Sequence, residues 1–172
     1  APDRLLRPLL PLRGVAPVPL GSQADAATGE ALMVATGGDD GDVTMTQLVS
    51  KRPFSGYWEY HIESALFTSP PVGNHSGAPL FNQRGELLGI GSLFVMDAMG
   101  GNRRLPGNMF VPVDLLKPIL AELQQTGTSK LSRRPWLGLT SSEQGGRVQV
   151  VRVNKDGPAQ AAGLQPGDVH WN

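Results

Sequence analysis

The residues best placed to do chemistry lie in Pro71 to Leu80, PVGNHSGAPL, where a serine follows a histidine and precedes two very small residues. A nucleophilic serine in acyl transfer needs a tight turn that exposes Oγ, and small neighbours that admit substrate. It also needs backbone N–H groups aimed at the developing oxyanion. Ser76-Gly77-Ala78-Pro79 supplies the small neighbours. Beyond the NQRGE turn, Leu87 to Phe94 carries Gly89 and Gly91, where a substrate backbone can lie close, so this run reads as a substrate-binding edge. The plain alternative for Ser76 is a polar turn between strands.

Other chemistry-bearing groups are few. The chain has three histidines and no cysteine. Lack of cysteine excludes disulfides, thiolate metal sites and a cysteine nucleophile, and leaves the redox compartment open. His75 adjoins Ser76, but adjacent turn residues point apart, whereas a general base must come within roughly 2.6 to 3.2 Å of Oγ. His75 therefore reads as a loop residue tuning the turn, His61 in WEYHIES as a half-exposed strand residue, and His170 as uninformative. Asp39, Asp40 and Asp42 in GGDDGD lack the loop spacing and the Glu of an EF-hand and read as a solvated hairpin turn. No metal site and no cofactor is expected.

The elements that must position Ser76 are mostly strands. Strand-like runs separated by turn signals cover Val15–Leu20, Ala31–Thr36, Val43–Ser50, Trp58–Phe67, Leu87–Val95 and Met109–Val113, a spacing that predicts a small antiparallel barrel. DAMGGNRRLPGN, Asp97 to Asn108, reads as a surface loop. From Asp114 the apolar residues Leu115, Leu116, Ile119, Leu120 and Leu123 recur at helical spacing, with Asp114 placed as N-cap and Gly127 just past the end.

The expected organisation is an N-terminal linker or edge segment over 1–14, the barrel and its helix over 15–127, and a polar linker over 128–133. A second module follows from 134 to 172, with strands in Trp136–Leu139 and Arg147–Val153 and a short helix over Ala159–Ala162 ended by Gly163.

Composition agrees with a β-rich fold: 22 glycines, 15 prolines and 6% aromatics within 172 residues. Fifteen basic and 15 acidic side chains balance to zero net charge, so no global field draws the chain to nucleic acid. No apolar run approaches the roughly 18 residues needed to span a bilayer. The start at Ala1, with neither Met nor a signal pattern, reads as processed or trimmed.

SGAPLFNQRGELLGIGS resembles the segment around the reactive serine of trypsin-like serine proteases. NMFVPVDLLKPILAELQQTG resembles the strand and C-terminal helix that close the second barrel of HtrA (Deg) proteases, and APVPLGSQADAATGEALMVAT resembles the entry to that barrel. RPWLGL with VQVVRVNKDGPAQAAGLQPGDV resembles the start of a PDZ domain. A lone SGxP would be weak, but these segments follow the family's order from about Ala16 to Val169.

The resemblance implies a mainly β fold: a six-stranded antiparallel Greek-key barrel with a C-terminal helix, then part of a PDZ-like domain. It implies Ser76 as nucleophile, the Ser76 and Asn74 N–H groups as oxyanion hole, and Ser92, Leu93 and Phe94 as the strand beside the specificity pocket. Trp136, Leu137, Gly138 and Leu139 would form the loop that holds a peptide C-terminal carboxylate. Family members read PGNSGG where this chain has VGNHSGA, so either His75 is an insertion or Asn74 takes the glycine position. The resemblance also implies polypeptide substrates, peptide C-termini as partners, a homotrimer in the full-length protein, and export to the periplasm.

In trypsin-like enzymes the triad His and Asp precede the serine in the chain order His, Asp, Ser. The 75 residues before Ser76 fall almost wholly within the second barrel of the resemblance. The expectation is a serine endopeptidase acting on unfolded or damaged proteins, of which this fragment is inactive alone. The competing readings are a non-catalytic peptide-binding module and a β-rich structural domain with an interaction tail.

Overall fold

The computed structural model describes residues 14–37, 41–56, 60–101, 103–130 and 136–171. Most of the expected N-terminal segment, Asp39 and Asp40 of the acidic turn, Trp58, residues 131–133 of the linker and the first two residues of the second module lie outside the described residues, as does the His170 side chain. The chain forms two compact units, Ala1–Thr128 and Ser129–Asn172.

The first unit is a closed antiparallel barrel of six strands. These are β1 (Ala31–Thr36), β2 (Asp42–Gly56), β3 (Tyr60–Ser69), β4 (Pro79–Phe81), β5 (Leu87–Val95) and β6 (Gly107–Pro112). Their order around the barrel is β1-β2-β3-β6-β5-β4, so β6 inserts between β3 and β5. The chain therefore leaves β3, forms the Ser76 turn, and enters β4 on the far side of β5.

Side-chain alternation explains why these runs are strands. Every strand sends at least one residue inward: Leu32 and Val34, Leu48, Leu66, Leu80, Leu88 and Phe110, joined by Ala26, Val72 and Ala78. Each fully buried Leu or Phe contributes on the order of 1.5–3 kcal/mol of transfer free energy. The opposite faces of β3 and β6 carry Ile62, Ala65, Phe67 and Met109, which pack with Ala98 as a second cluster.

The structure corrects the strand assignment in two places. Val15–Leu20 is not a strand: it meets the barrel through one bridge, Leu20 to Leu87, with the Leu87 amide donating to the Pro19 carbonyl at 2.9 Å. The prolines at 17 and 19 have no N–H to give to a ladder. The place of that run is taken by β4, which has three residues and opens on a proline, too short to leave a periodic signal.

The 97–105 segment is also more than a surface loop. Ala98 is fully buried, Ser50 Oγ donates to its carbonyl at 2.6 Å, and Arg52 Nη2 donates to the Asp97 carbonyl at 3.0 Å. The Arg52 guanidinium carbon lies 3.8 Å from the Phe67 ring centroid, within cation–π range, and pairs with the Asp97 carboxylate at 3.5 Å.

After β6 comes a single 3-10 turn, Val113–Leu115, and then α1 (Lys117–Thr126). Gly127 ends α1 in the left-handed conformation at φ 73, as expected, but Asp114 is not its N-cap; that place belongs to Leu116. The reason is competition for the carboxylate. Asp114 accepts from Ser22 Oγ at 2.9 Å and from the Gln23 amide at 2.8 Å, and pairs with Lys117 at 3.2 Å, tying the segment before β1 to the turn that leads into α1.

The second unit is a three-stranded antiparallel sheet of β7 (Leu139–Gln144), β8 (Arg147–Val153) and β9 (Val169–Trp171), with the short helix α2 (Pro158–Ala161) between β8 and β9. Of the expected Trp136–Leu139 strand only Leu139 is in the ladder. Gly145 and Gly146, at φ 59 and 77, make the two-residue hairpin turn between β7 and β8.

Burial raises the Asp114 carboxyl, but the Gln23 amide, the Ser22 hydroxyl and Lys117 outweigh it and leave the group below the ordinary aspartate value. A depressed folded pKa stabilises the fold above the unfolded pKa, and that contribution is lost as pH falls through the folded one. Asp114→Ala should cost about 1–3 kcal/mol near neutral pH. In urea denaturation its deficit relative to wild type should shrink as pH drops below the aspartate range; a deficit independent of pH would refute the assignment.

Candidate active site

The turn carrying Ser76 is pinned from both sides. Thr46 Oγ1 donates to the Pro70 carbonyl at 2.9 Å, and the buried Asn108 accepts the Val72 amide through Oδ1 at 2.6 Å. On the other side the Gly77 amide donates to the Gly91 carbonyl and the Gly91 amide to the Ala78 carbonyl, both at 2.8 Å. The Ala78 amide closes the turn on the His75 carbonyl at 2.9 Å.

This backbone demands unusual conformations. Asn74 has φ 50 and Gly77 φ 78, in the region that glycine enters freely and asparagine tolerates better than most residues. Gly91 is required for a different reason: a Cβ there would collide with the His75 carbonyl. The turn thus sits directly on the β5 backbone.

Ser76 is exposed at the tip, and among the described residues neither its amide nor that of Asn74 donates a hydrogen bond. His75 enters the structure through its carbonyl, which Ala78 uses, while its ring has no hydrogen-bond partner among the described residues. His61 belongs elsewhere: it is exposed on β3, and its Nδ1 lies 2.8 Å from the Ser55 hydroxyl on β2.

Beyond Gly91, β5 continues as Ser92, Leu93 and Phe94 with β6 on one side only. The β4 ladder stops at Pro79 opposite Ile90, so the other edge of Ser92–Val95 pairs with no strand among the described residues. A register shift between Gly91 and Leu93 makes Ser92 the extra residue of a bulge, a device that re-aims side chains. Leu93 packs into the outer cluster, and Phe94, opposite Asn108 on β6, is 51% exposed.

The β4–β5 hairpin is held by Asn82, whose Oδ1 accepts the Arg84 and Glu86 amides, each at 3.0 Å. A hydrogen bond from Arg84, seconded by Asn82, holds the Glu86 carboxyl below its ordinary value. Sequence reasoning missed Asn108, Thr46 and Asn82 as supports of the site. The signal for Asn108 was a lone polar residue opening the apolar run NMFVPV.

In the second unit Trp136 and Leu137 are exposed, and Gly138 is buried at φ 73. The Leu137 carbonyl accepts the Ala159 amide at 2.9 Å and the Gly138 carbonyl accepts that of Asn154 at 2.8 Å. The carbonyls are thereby tied back, while the Leu137 and Gly138 amides donate to nothing among the described residues. Among the described residues no group of three or more His, Asp or Glu side chains is placed to hold a metal, and no helix is long and apolar enough to cross a membrane.

An exposed serine on a tight turn, two amides that donate to nothing and a strand edge without a partner, all among the described residues, thus lie together at one end of the barrel. The family described as Trypsin-like peptidase domain matches residues 5–90, which include the whole turn. This chain belongs to the trypsin-like peptidase family. Its relatives include a probable periplasmic serine endoprotease DegP-like of Hahella chejuensis, 35% identical over 107 residues, 55% of this chain and 22% of that protein. The protein of the same name in Pseudomonas fluorescens is 32% identical over 164 residues, 87% of this chain and 33% of its own length.

Among solved structures, the HtrA-type protease AlgW with decapeptide superposes over 91% of this chain and 50% of its own, with TM-score 0.62 and 23% identity. Its tripeptide counterpart covers 93% and 56%, with TM-score 0.63 and 22% identity. The fold is that of an HtrA-type, trypsin-like protease. The chain spans at most a third of these curated relatives and about half of these solved chains.

Gly91→Ala should destabilise the first unit by about 1–3 kcal/mol, the range for forcing a methyl into filled space. Gly73, inside the same turn with φ outside the left-handed region and open space around it, should accept alanine within about 0.5 kcal/mol. Urea midpoints of the two variants check the contrast, and equal midpoints would refute it.

Proposed function

We propose that the protein is an HtrA/Deg-like serine endopeptidase that hydrolyses peptide bonds of unfolded or damaged polypeptides, with Ser76 as nucleophile. The observation that carries this reading is the turn itself: an exposed hydroxyl beside two amides, Ser76 and Asn74, that have no acceptor among the described residues. In the reaction the substrate lies as an added strand on Ser92, Leu93 and Phe94. Ser76 Oγ attacks the carbonyl carbon, and the two N–H groups stabilise the negative charge that develops on its oxygen. The left-handed φ of Asn74 supports its occupying the glycine position before the serine, rather than His75 being an insertion.

Serine attack needs a base to take the hydroxyl proton and a carboxylate to orient that base. His75 adjoins Ser76 on the turn, where neighbouring side chains point apart, and His61 lies beside Ser55 on β2 and β3, so the histidine and aspartate are proposed to come from outside these 172 residues. Alone, the chain would retain only what an oxyanion hole and binding confer, roughly 10³ to 10⁴ over water. No cofactor or metal is needed for this chemistry.

The second unit is proposed to be the first part of a PDZ-like module, whose Trp136–Leu139 loop receives a peptide C-terminal carboxylate on the free amides of Leu137 and Gly138. The periplasmic names of the relatives support export, and resemblance alone supports a homotrimer.

A fluorophosphonate probe on the full-length protein should label Ser76 and leave Ser76→Ala unlabelled. Absence of label in the full-length protein would favour the non-catalytic peptide-binding reading. For the second unit, amidating the C-terminus of a bound peptide should weaken binding about tenfold, the value of a lost charge-assisted contact. Fluorescence anisotropy with the free-acid and amidated forms measures this, and equal affinities would remove the carboxylate-loop assignment.

A further inference from the structure

Immediately past β5 the Met96, Asp97, Arg103 and Arg104 side chains line a cleft of about 340 Å³. The Asp97 carboxylate is already matched by Arg52 at 3.5 Å, whose guanidinium also holds the Asp97 carbonyl. Arg103 and Arg104 are exposed, and their guanidinium groups have no carboxylate partner among the described residues. The cleft thus presents two unmatched positive charges beside the half-exposed sulfur-bearing side chain of Met96.

The segment that carries them is anchored. The Leu105 amide donates to the Met96 carbonyl at 2.9 Å and the Ala98 amide to the Leu105 carbonyl at 2.8 Å. The Arg103 amide caps the Gly100 carbonyl at 3.3 Å. Two cations held at the end of an open strand edge form a different object from two cations on a mobile tail, because their direction relative to that edge is set.

Strand polarity decides what they would meet. A peptide laid antiparallel on the free edge of Ser92–Val95, as every strand of this barrel pairs with its neighbours, runs opposite to β5. The Ser76 turn sits over Gly91, so the bond to be attacked lies near Ser92, and residues N-terminal to it pass Phe94 and then reach Met96. At about 3.3 Å per residue, the cleft receives side chains roughly four to six residues upstream of that bond.

We infer that Arg103 and Arg104 form a subsite selecting peptides with acidic side chains upstream of the apolar residues held by Leu93 and Phe94. This rests on the peptide-binding role of β5 proposed above. The charges are exposed, so each pair contributes modestly and is screened by salt, and the preference is carried by two of them acting on one segment.

The test uses the full-length protein with Ser76→Ala, so that nothing is cleaved. Two fluorescein-labelled peptides, acetylated and amidated to silence their ends, differ only in carrying Asp-Glu or Asn-Gln about five residues before an apolar stretch. Anisotropy should show the acidic peptide binding about tenfold more tightly at low ionic strength, the upper range for two exposed ion pairs. The preference should reverse in Arg103→Glu/Arg104→Glu, whose carboxylates repel the acidic peptide, and vanish in roughly 0.5 M salt.

Equal affinities, or a preference that survives the double charge reversal, would overturn the inference. If both peptides bind equally while the wild-type protein is labelled at Ser76, the protease reading stands and only the acidic subsite falls. If neither peptide binds and no label appears, the role of β5 and the subsite fall together.

Discussion

The candidate site depends on two reciprocal backbone hydrogen bonds between Gly91 and the turn at Gly77 and Ala78. They dock a surface turn onto a barrel strand so closely that no side chain fits at Gly91. Without that contact Ser76 would be one more polar residue on a loop. With it, the hydroxyl and the amides beside it hold a fixed relation to the strand edge that begins at Ser92, which makes catalysis by positioning physically available.

The same contact explains the topology that serves it. For the turn to lie across β5, the chain must leave β3, pass over the barrel end and enter β4 on the far edge of β5, which is the order found. The buried Asn108 takes the Val72 amide in the middle of this crossing, and Thr46 takes the Pro70 carbonyl. The first satisfies the amide of a buried residue that would otherwise lack a partner and the second ties down the part-buried approach to it, so the polar residues inside this end of the barrel serve the loop above them.

Much of this was legible in the sequence, and the failures have identifiable causes. β1 and β5 were predicted with their observed bounds because Leu32, Val34 and their neighbours alternate cleanly, and because Leu87–Val95 is an apolar run bounded by turn residues. Val15–Leu20 was misread because apolar residues spaced by prolines imitate alternation while lacking the donors that pairing needs. β4 escaped because three residues carry no period. Asp114 looked like a cap from its neighbours in sequence, but its partners, Ser22 and Gln23, lie more than 90 positions away. Long-range pairing of a polar group leaves no local trace.

The same limit governs the site. The small residues after Ser76 and the glycines of β5 were visible as types, and they marked the turn as a candidate for either a nucleophile or a plain polar turn. That Gly91 is the glycine the turn rests on, whereas Gly89 faces the Val111 carbonyl and the Phe110 side chain, is a fact of register between distant strands. His75 reads from the sequence as a loop residue tuning the turn, and register adds how: its main-chain oxygen accepts Ala78 and sets the clearance over Gly91. A side chain drew attention to the stretch, but the backbone beneath it does the positioning.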